Sequence, residues 1–384
     1  MQLQKNYKKK KIFFFFLIII SLKTWHKQKI LEREVSYYKK FQKEKYNLTF
    51  VTYGNKNDLK FKNYTKDIEI IPLYKNLKKN YLTKYLIFLI APLILSKTLD
   101  KCEIIKTHQV TGGLLALICA IFKKKKLIIR AGWEPTKSYK NWNISFFKYV
   151  LLTINSMICY KFSNKIIATT REIKNFISKK YFIDQKKINI IPNVVNVDKF
   201  RKKTNIKKIP NRVINISRLE SQKNLFELID ICKLSGIDLD IIGSGIQLNQ
   251  LKNYSKKIGV KVNFLGQIEN NKIPNLLSKY IFYITSSKIE GSPKTILEAM
   301  SSELPIIGLK AEGVNSLIKN GKTGYLFSDK KKLTKYILNI KENKIYLKKM
   351  GIKARKYIIK NFCAKRNIIA EKKIFEELTN EKRN

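Results

Sequence analysis

The chain has 384 residues, 44% of them hydrophobic, and a formal net charge of +51 at pH 7. That length asks for two or three domains, and that apolar content fills buried cores, which excludes a wholly disordered polycation. Nine Arg stand against 70 Lys, a skew spread along the whole chain that argues against a nucleic-acid reader, where guanidinium forks concentrate at bases and phosphates. Most of these lysines read as solvated surface, and they also favour an anionic membrane surface as a partner. Cys102, Cys119, Cys159, Cys232 and Cys363 are widely separated without CxxC spacing, and there are two His. This spacing argues against a disulfide framework and a zinc cluster and favours a reducing compartment.

The first apolar run, Ile12 to Leu22, follows a lysine-rich start. It is too short to span a bilayer and no small-residue cleavage site follows, so it reads as a buried parallel strand rather than a signal peptide. A helical stretch, KQKILEREVSYYKKFQKE, and a second strand, LTFVTYG, complete a βαβ start,. Tyr85 to Ser96 is apolar nearly all round and interrupted by Pro92, which suits either a buried helix or one dipping into a membrane interface. Strands at EIIKT, KLIIR, KIIAT and KINIIP follow, then a polar linker, RKKTNIKKIPN,. A second alternation runs through RVINIS, a helix from about Asn224, LDIIGSG, KVNFLG, IFYITSS, a helix around Met300, and LPIIGL. The expected fold is α/β, two Rossmann-like doubly wound domains with a cleft between them, ligands lying beyond the carboxyl ends of the strands.

The stretch SKIEGSPKTILEAM holds most of the chemistry. Glu290 and Glu298 stand eight residues apart, with Gly291, Ser292 and Pro293 between them. Pro293 fits the first helical position and Ser292 the N-cap, so Lys294 to Ser301 should be helical. A helix start just after a strand offers free N–H groups and a positive dipole end to an anion. Flanking carboxylates accept hydroxyl hydrogen bonds of the kind a sugar ring or a ribose diol donates. The D-x-D at Asp238 and Asp240 reads as strand entry, and GSGIQLNQLK lacks the Gly-Lys-Ser/Thr ending of a P-loop,.

EGSPKTILEAM resembles the E-x7-E motif of family 4 (group 1) glycosyltransferases, usually met as EGFP or EGFG followed by LLEAM. INISRLESQKNL resembles the same family's G-R-L-x-x-x-K-G phosphate motif, with Arg218 and Lys223 as its charged members. IIPNVVNVDKF, IIGSG, VNFLGQI and LPIIGLKAEGVNSLIKNGKTGYLF resemble its domain junction, IIGDGP loop, V-x-F-x-G strand and LPVVATDVGGIPEVIENGKTGLLV segment, in order, from about Lys165 to Phe327. The resemblance implies a GT-B fold: an acceptor-binding domain at 1–196, a donor-binding domain at 197–355, and a C-terminal helix within 356–384 packing back on the first. It implies that Arg218 and Lys223 neutralise the donor diphosphate and that Glu298 binds the ribose. Glu290 would hold donor-sugar hydroxyls, while Gly291, Ser292, Pro293, Lys294 and Thr295 form the cradle around the phosphates. Retention of anomeric configuration, no metal and no cofactor beyond a UDP- or GDP-linked sugar are also implied. Taken singly, Arg218 also reads as an ion-pair partner of Glu220, and Glu298 as a surface helical Glu.

Relatives often carry His in a VHD-like strand end, where this chain has KKKKLIIRAGWEP with Arg130 and Trp133. His108, one strand earlier, either lines the same cleft or is a loop residue without a role. The glycine-rich loop after the first strand is replaced by SLKTWHKQKILERE, with Trp25 and Lys27 available to an acceptor. Val194 and Glu303 stand where relatives have Gly, and either would be strained at positive φ. The expected activity moves a hexose-type sugar onto a lipid-linked or polysaccharide acceptor, in surface polysaccharide, lipopolysaccharide or glycolipid synthesis. The expected place is the cytoplasm, peripheral on the cytoplasmic face of a membrane. The alternative is a degenerate nucleotide-sugar binder or scaffold, which would bind donor without turnover.

Overall fold

Apolar runs become parallel strands where both of their faces can be covered by helices. The computed structural model describes residues 10–15, 20–42, 44, 46–75, 81–137 and 145–380. These divide into two units, one holding the residues up to Ile191 and from Ile368 onward, the other Pro192–Asn367.

The first unit runs β1 (Lys10–Phe15), α1 (Leu22–Lys27), α2 (Leu31–Gln42), β2 (Tyr46–Thr52), α3 (Lys62–Thr65), β3 (Glu69–Pro72), α4 (Tyr81–Ile94) and α5 (Ser96–Asp100). It continues with β4 (Ile104–Thr107), α6 (Gly113–Phe122), β5 (Lys126–Ala131), α7 (Phe146–Phe162), β6 (Lys165–Ala168), α8 (Arg171–Tyr181) and β7 (Ile188–Ile190). The seven strands are parallel in the order β3-β2-β1-β4-β5-β6-β7. Ile12 of β1 pairs with Leu48 on one side and Ile104 on the other, so the strand order reverses there. β1 holds residues 12–15 of the first apolar run and Leu22, expected in the strand, opens α1; residues 16–19 and the lysine-rich residues 1–9 lie outside the described residues. Pro92 sits inside α4, where Ile87 and Ala91 are buried while Leu89 and Leu93 face out.

The second unit runs β8 (Arg212–Ile216), α9 (Leu225–Ser235), β9 (Asp238–Ile242), α10 (Leu248–Lys257), β10 (Val262–Phe264), α11 (Ile273–Leu277), β11 (Tyr283–Thr285) and α12 (Lys294–Ser301). It ends with β12 (Ile306–Leu309), β13 (Gly324–Phe327), α13 (Lys330–Ile340) and α14 (Lys344–Asn361). Its parallel sheet has the order β10-β9-β8-β11-β12-β13. Both units are therefore doubly wound. Ala354, Ile358 and Phe362 belong to the second unit's core, so α14 stays there, and the chain returns to the first unit only at Ile368 within α15 (Ala364–Asn380). In the first unit Phe375 then packs edge-on to Phe41 and Tyr46.

Two charged networks hold these sheets. Lys106 on β4 is fully buried and lies 2.5 Å from Glu371 of α15. Burial pushes the Lys106 ammonium down in pKa and Glu371 opposes that shift; stripping one partner from such a pair costs about 3–5 kcal/mol. In the second unit Arg212 spans Asp238 (2.5 Å) and Asp240 (2.8 Å), and the Tyr280 hydroxyl donates to Asp240. The D-x-D thus serves at strand entry, away from the carboxyl ends.

Candidate functional site

At the carboxyl end of β8 the chain turns through Ser217, Arg218 and Leu219 against the IIGSG loop. A Cβ on Gly243 would stand 1.9 Å from the Ser217 carbonyl oxygen, and one on Gly245 would stand 2.4 Å from that of Leu219. Both glycines are there because backbone lies on backbone; Leu219 N–H donates to Ser244 O and Gln247 N–H to Leu219 O. Past this turn a single 3-10 turn, Ser221–Lys223, leads into α9, with Asn224 in the left-handed region. It delivers Lys223 to Glu290, Nζ to Oε1 at 2.5 Å, both side chains nearly buried.

Glu290 lies on the loop between β11 and α12. Its N–H donates to Glu312 O, and Gly313 (φ 79°) lets the two loops touch, since a Cβ there would meet Glu290 O at 2.2 Å. Helix α12 starts at Lys294, with Pro293 as the N-cap rather than the expected Ser292. Proline brings no capping side chain, and the buried Ser292 hydroxyl has no hydrogen-bond partner among the described residues. A buried hydroxyl left unsatisfied costs about 1–3 kcal/mol, and helix-start amides favour an anion. The Ser292 carbonyl accepts from Asn193 Nδ2 at 2.7 Å. Glu298, just over one turn into α12, is buried and accepts from Asn270, so it is no surface helical residue. The Tyr283 hydroxyl ties the end of β8 to the first turn of α12, donating to Ile216 O at 3.0 Å and lying 3.3 Å from Thr295 Oγ1. Burial raises its pKa, and the charges of Glu290 and Glu298 add to that rise. Arg218 is held differently: it pairs with Glu220 at 3.0 Å with its side chain 56% exposed.

In the first unit, residues expected on the acceptor side gather at the ends of β4 and β5. The His108 ring lies 5.0 Å edge-on from Trp25, and its Nδ1 is 3.1 Å from the Tyr38 hydroxyl. Trp25 is buried. The expectation that it stands open to an acceptor is corrected: α1, capped by Ser21, turns Trp25 inward beneath His108, while Lys27 is exposed. Gly132 lets Arg130 and Gln109 fold across the turn, a Cβ there meeting both side chains at 2.6 Å. Gln109 Oε1 accepts from the N–H groups of Gly132 and Trp133, and Arg130 and Trp133 are half-buried.

Several organising residues escaped the sequence reading. Asp58 accepts from the N–H groups of Leu22 and Lys23 at 3.1 Å, supplying the start of α1 with an internal anion. Glu134 is buried and accepts from Tyr160 (2.5 Å), Tyr181, Thr136 and Ser156. Burial raises its pKa, and the Tyr160, Thr136 and Tyr181 hydrogen bonds oppose that rise. Asn193 and Tyr283 likewise carried no pattern beyond their place next to a motif.

Two doubly wound units, the second with a cation–carboxylate pair at the start of a helix, define a GT-B architecture. A model of group 1 glycosyl transferases matches residues 196–357 and one of glycosyltransferase family 4 matches residues 36–199. The chain belongs to the group 1 glycosyltransferases of GT-B fold. A UDP-Gal:alpha-D-GlcNAc-diphosphoundecaprenol alpha-1,3-galactosyltransferase of Escherichia coli is 28% identical over 68% of this chain, a match spanning 66% of that protein. A glycosyltransferase of Methanocaldococcus jannaschii is 28% identical over 72% of this chain and 74% of its own length. Among solved structures, Anabaena HepE in complex with UDP and glucose aligns with a TM-score of 0.76 at 15% identity, covering 97% of this chain and 100% of that one. Sucrose-phosphate synthase of Thermosynechococcus elongatus aligns at 0.77 with 13% identity, over 97% and 100%. At such identities these two structures speak for the fold.

Proposed function

We propose that the chain moves a hexose-type sugar from a UDP- or GDP-linked donor onto a lipid-linked or polysaccharide acceptor, with retention of anomeric configuration and without metal or cofactor. The observation that carries this is the start of α12, where the buried, unpartnered Ser292 hydroxyl stands next to the Lys223–Glu290 pair. A diphosphate placed there would satisfy that hydroxyl and lie against the positive end of α12, near Lys294 and Thr295,. Lys223 and Arg218 would neutralise the charge that grows on the leaving diphosphate, the interaction that lowers the barrier. Glu290 would accept from donor-sugar hydroxyls and Glu298 from the ribose. The bond from the anomeric carbon to the diphosphate oxygen breaks as the bond to the acceptor oxygen forms, and the acceptor proton passes to the departing phosphate. His108, Arg130, Trp133 and Lys27 are the acceptor-side residues in this scheme. The lipid-linked acceptor draws support from the E. coli relative, whose name specifies a diphosphoundecaprenol-linked substrate. Such an acceptor places the chain at the cytoplasmic face of a membrane, in surface polysaccharide or glycolipid synthesis.

The test is thermal shift against UDP-, GDP- and ADP-sugars, followed by transfer assays with the donor that binds. Stabilisation grows with ligand concentration over Kd, and Arg218→Ala should lower transfer by roughly 10²–10³. Binding of no donor would end this reading, and binding without transfer to any acceptor would favour a degenerate binder.

A further inference from the structure

Lysine makes up 70 of the 384 residues, so a lysine at the surface carries no message by itself. A pocket of the second unit is different, since four of the seven residues around it are lysines: Lys202, Lys208, Lys344 and Lys348. One carboxylate, Glu303, stands among them, and the buried Ile281 and Leu347 form the apolar wall. The pocket lies at the amino ends of the strands, where Lys208 precedes β8, Ile281 precedes β11 and Glu303 precedes β12. Lys223 and Glu290 follow the carboxyl ends of β8 and β11, so the pocket and the proposed donor site are at opposite ends of one sheet.

Glu303 takes φ 59°, a left-handed conformation that strains a residue with a Cβ, and its carboxylate lies 3.6 Å from the Lys202 ammonium. Gly351 lets α14 lie against the Glu303 carbonyl, where a Cβ would come within 2.0 Å of the oxygen. The first turns of the same helix reach the pocket, and Lys344 and Lys348, four residues apart, share a face there,. The Lys208 ammonium donates to the carbonyl of the buried Tyr280. Partial burial pushes its pKa down to about 8, Lys202 adds to the drop, and Glu303 opposes it. Like charges gathered this closely disfavour one another, and an anion among them removes the conflict. The pocket holds about 150 Å³, roughly five waters at about 30 Å³ each. That is short of the roughly 300–1,000 Å³ of a site for a drug-sized ligand. We propose that the pocket binds a small phosphoanion, of phosphate or pyrophosphate size, which lysines meet as point charges. The site stands on residues separate from the proposed donor site and does not depend on that reading.

The full chain is treated at pH 8 with an amine-acylating reagent, without and with inorganic phosphate or pyrophosphate, and peptide mass spectrometry reads each lysine. Sodium chloride holds the ionic strength fixed, so that screening of the surface charge stays constant. A bound phosphoanion keeps Lys208 protonated and covered, and should slow its acylation at least about fivefold. Lys349, exposed on α14 outside the pocket, should be unaffected. Lys344→Met and Lys348→Met, at exposed positions, should each raise the half-protecting concentration of pyrophosphate about tenfold, the worth of one hydrogen bond to a charged group. Lys349→Met should not move it. An unprotected Lys208, equal protection at Lys349, or an unchanged half-protecting concentration in both pocket variants overturns the site. So does protection that vanishes in Lys223→Ala, which would put the phosphoanion at the donor end of the sheet. Protection retained in Lys223→Ala leaves the pocket standing, whatever the fate of sugar transfer.

Discussion

Lys223→Ala removes a cation held 2.5 Å from Glu290, in a pair whose side chains are 11% and 12% exposed. In open water the loss would be at most about 1 kcal/mol; for a fully buried pair it would be about 3–5 kcal/mol. With roughly a tenth of each side chain still wet, about 2–3 kcal/mol is expected, most of it from stranding the Glu290 charge. The thermal midpoint of the second unit should fall by roughly 4–12 °C. Glu290→Gln in the same chain removes the stranded charge and should restore much of that loss, giving a coupling of about 1–3 kcal/mol in a double-mutant cycle. Transfer behaves otherwise. If Lys223 also meets the donor diphosphate, both Lys223→Ala and the double variant stay roughly 10²–10³ below wild type. Urea unfolding and single-turnover transfer measure the two effects separately. Stabilities that add within about 0.3–0.5 kcal/mol would refute the pair as an energetic unit. Restored transfer in the double variant would refute the donor contact.

Glu298→Ala should weaken donor binding about 10- to 100-fold, the worth of hydrogen bonds to a charged group, as read by calorimetry; unchanged affinity would put the ribose elsewhere. Gly313→Ala forces a side chain to φ 79° with its Cβ 2.2 Å from Glu290 O, so it should cost more than about 1 kcal/mol in urea unfolding and also loosen donor binding. Glu134 gives a pH signature. Its folded pKa is raised, so between the usual carboxylate range and that raised value the folded chain holds a proton the unfolded chain lacks. Its contribution to stability therefore falls as pH rises through that window and is constant above it. Glu134→Gln should flatten this part of the stability–pH curve, and identical slopes in the two chains would count against a strained carboxylate.

The second unit was more legible than the first, for physical reasons. Lys294 to Ser301 could be placed because a strand, a turn and a proline leave one register for the helix; only the cap moved, from Ser292 to Pro293. Glu303 does take positive φ, at 59°, whereas Val194 is absent from the positive-φ residues, because a missing glycine says only that one of two remedies was found, strain or another path. Lys223 and Glu290 are 67 residues apart in sequence, and only the family motifs put them together. Arg218 had two readings, and the ion pair with Glu220, two residues away, is the one formed. In the first unit, Tyr85 to Ser96 read as apolar nearly all round, which suits burial and an outward apolar face alike; composition cannot separate them. Trp25 was misjudged because a six-residue helix shows too little periodicity to reveal which way it turns,. Asp58 and Glu134 act through sheet topology, bringing together elements that the sequence keeps apart.

The pairing of Lys106 with Glu371, 265 residues later, has a consequence for biogenesis. At ribosomal speeds of about 5–20 residues per second, the lysine waits roughly tens of seconds for its counter-ion. All of Pro192–Asn367 is made in the interval, so the later-encoded unit can mature as an insertion while the earlier one is held open. A nascent chain stalled before Glu371 would therefore expose β4 with an unneutralised ammonium, a species fit for chaperone capture rather than release.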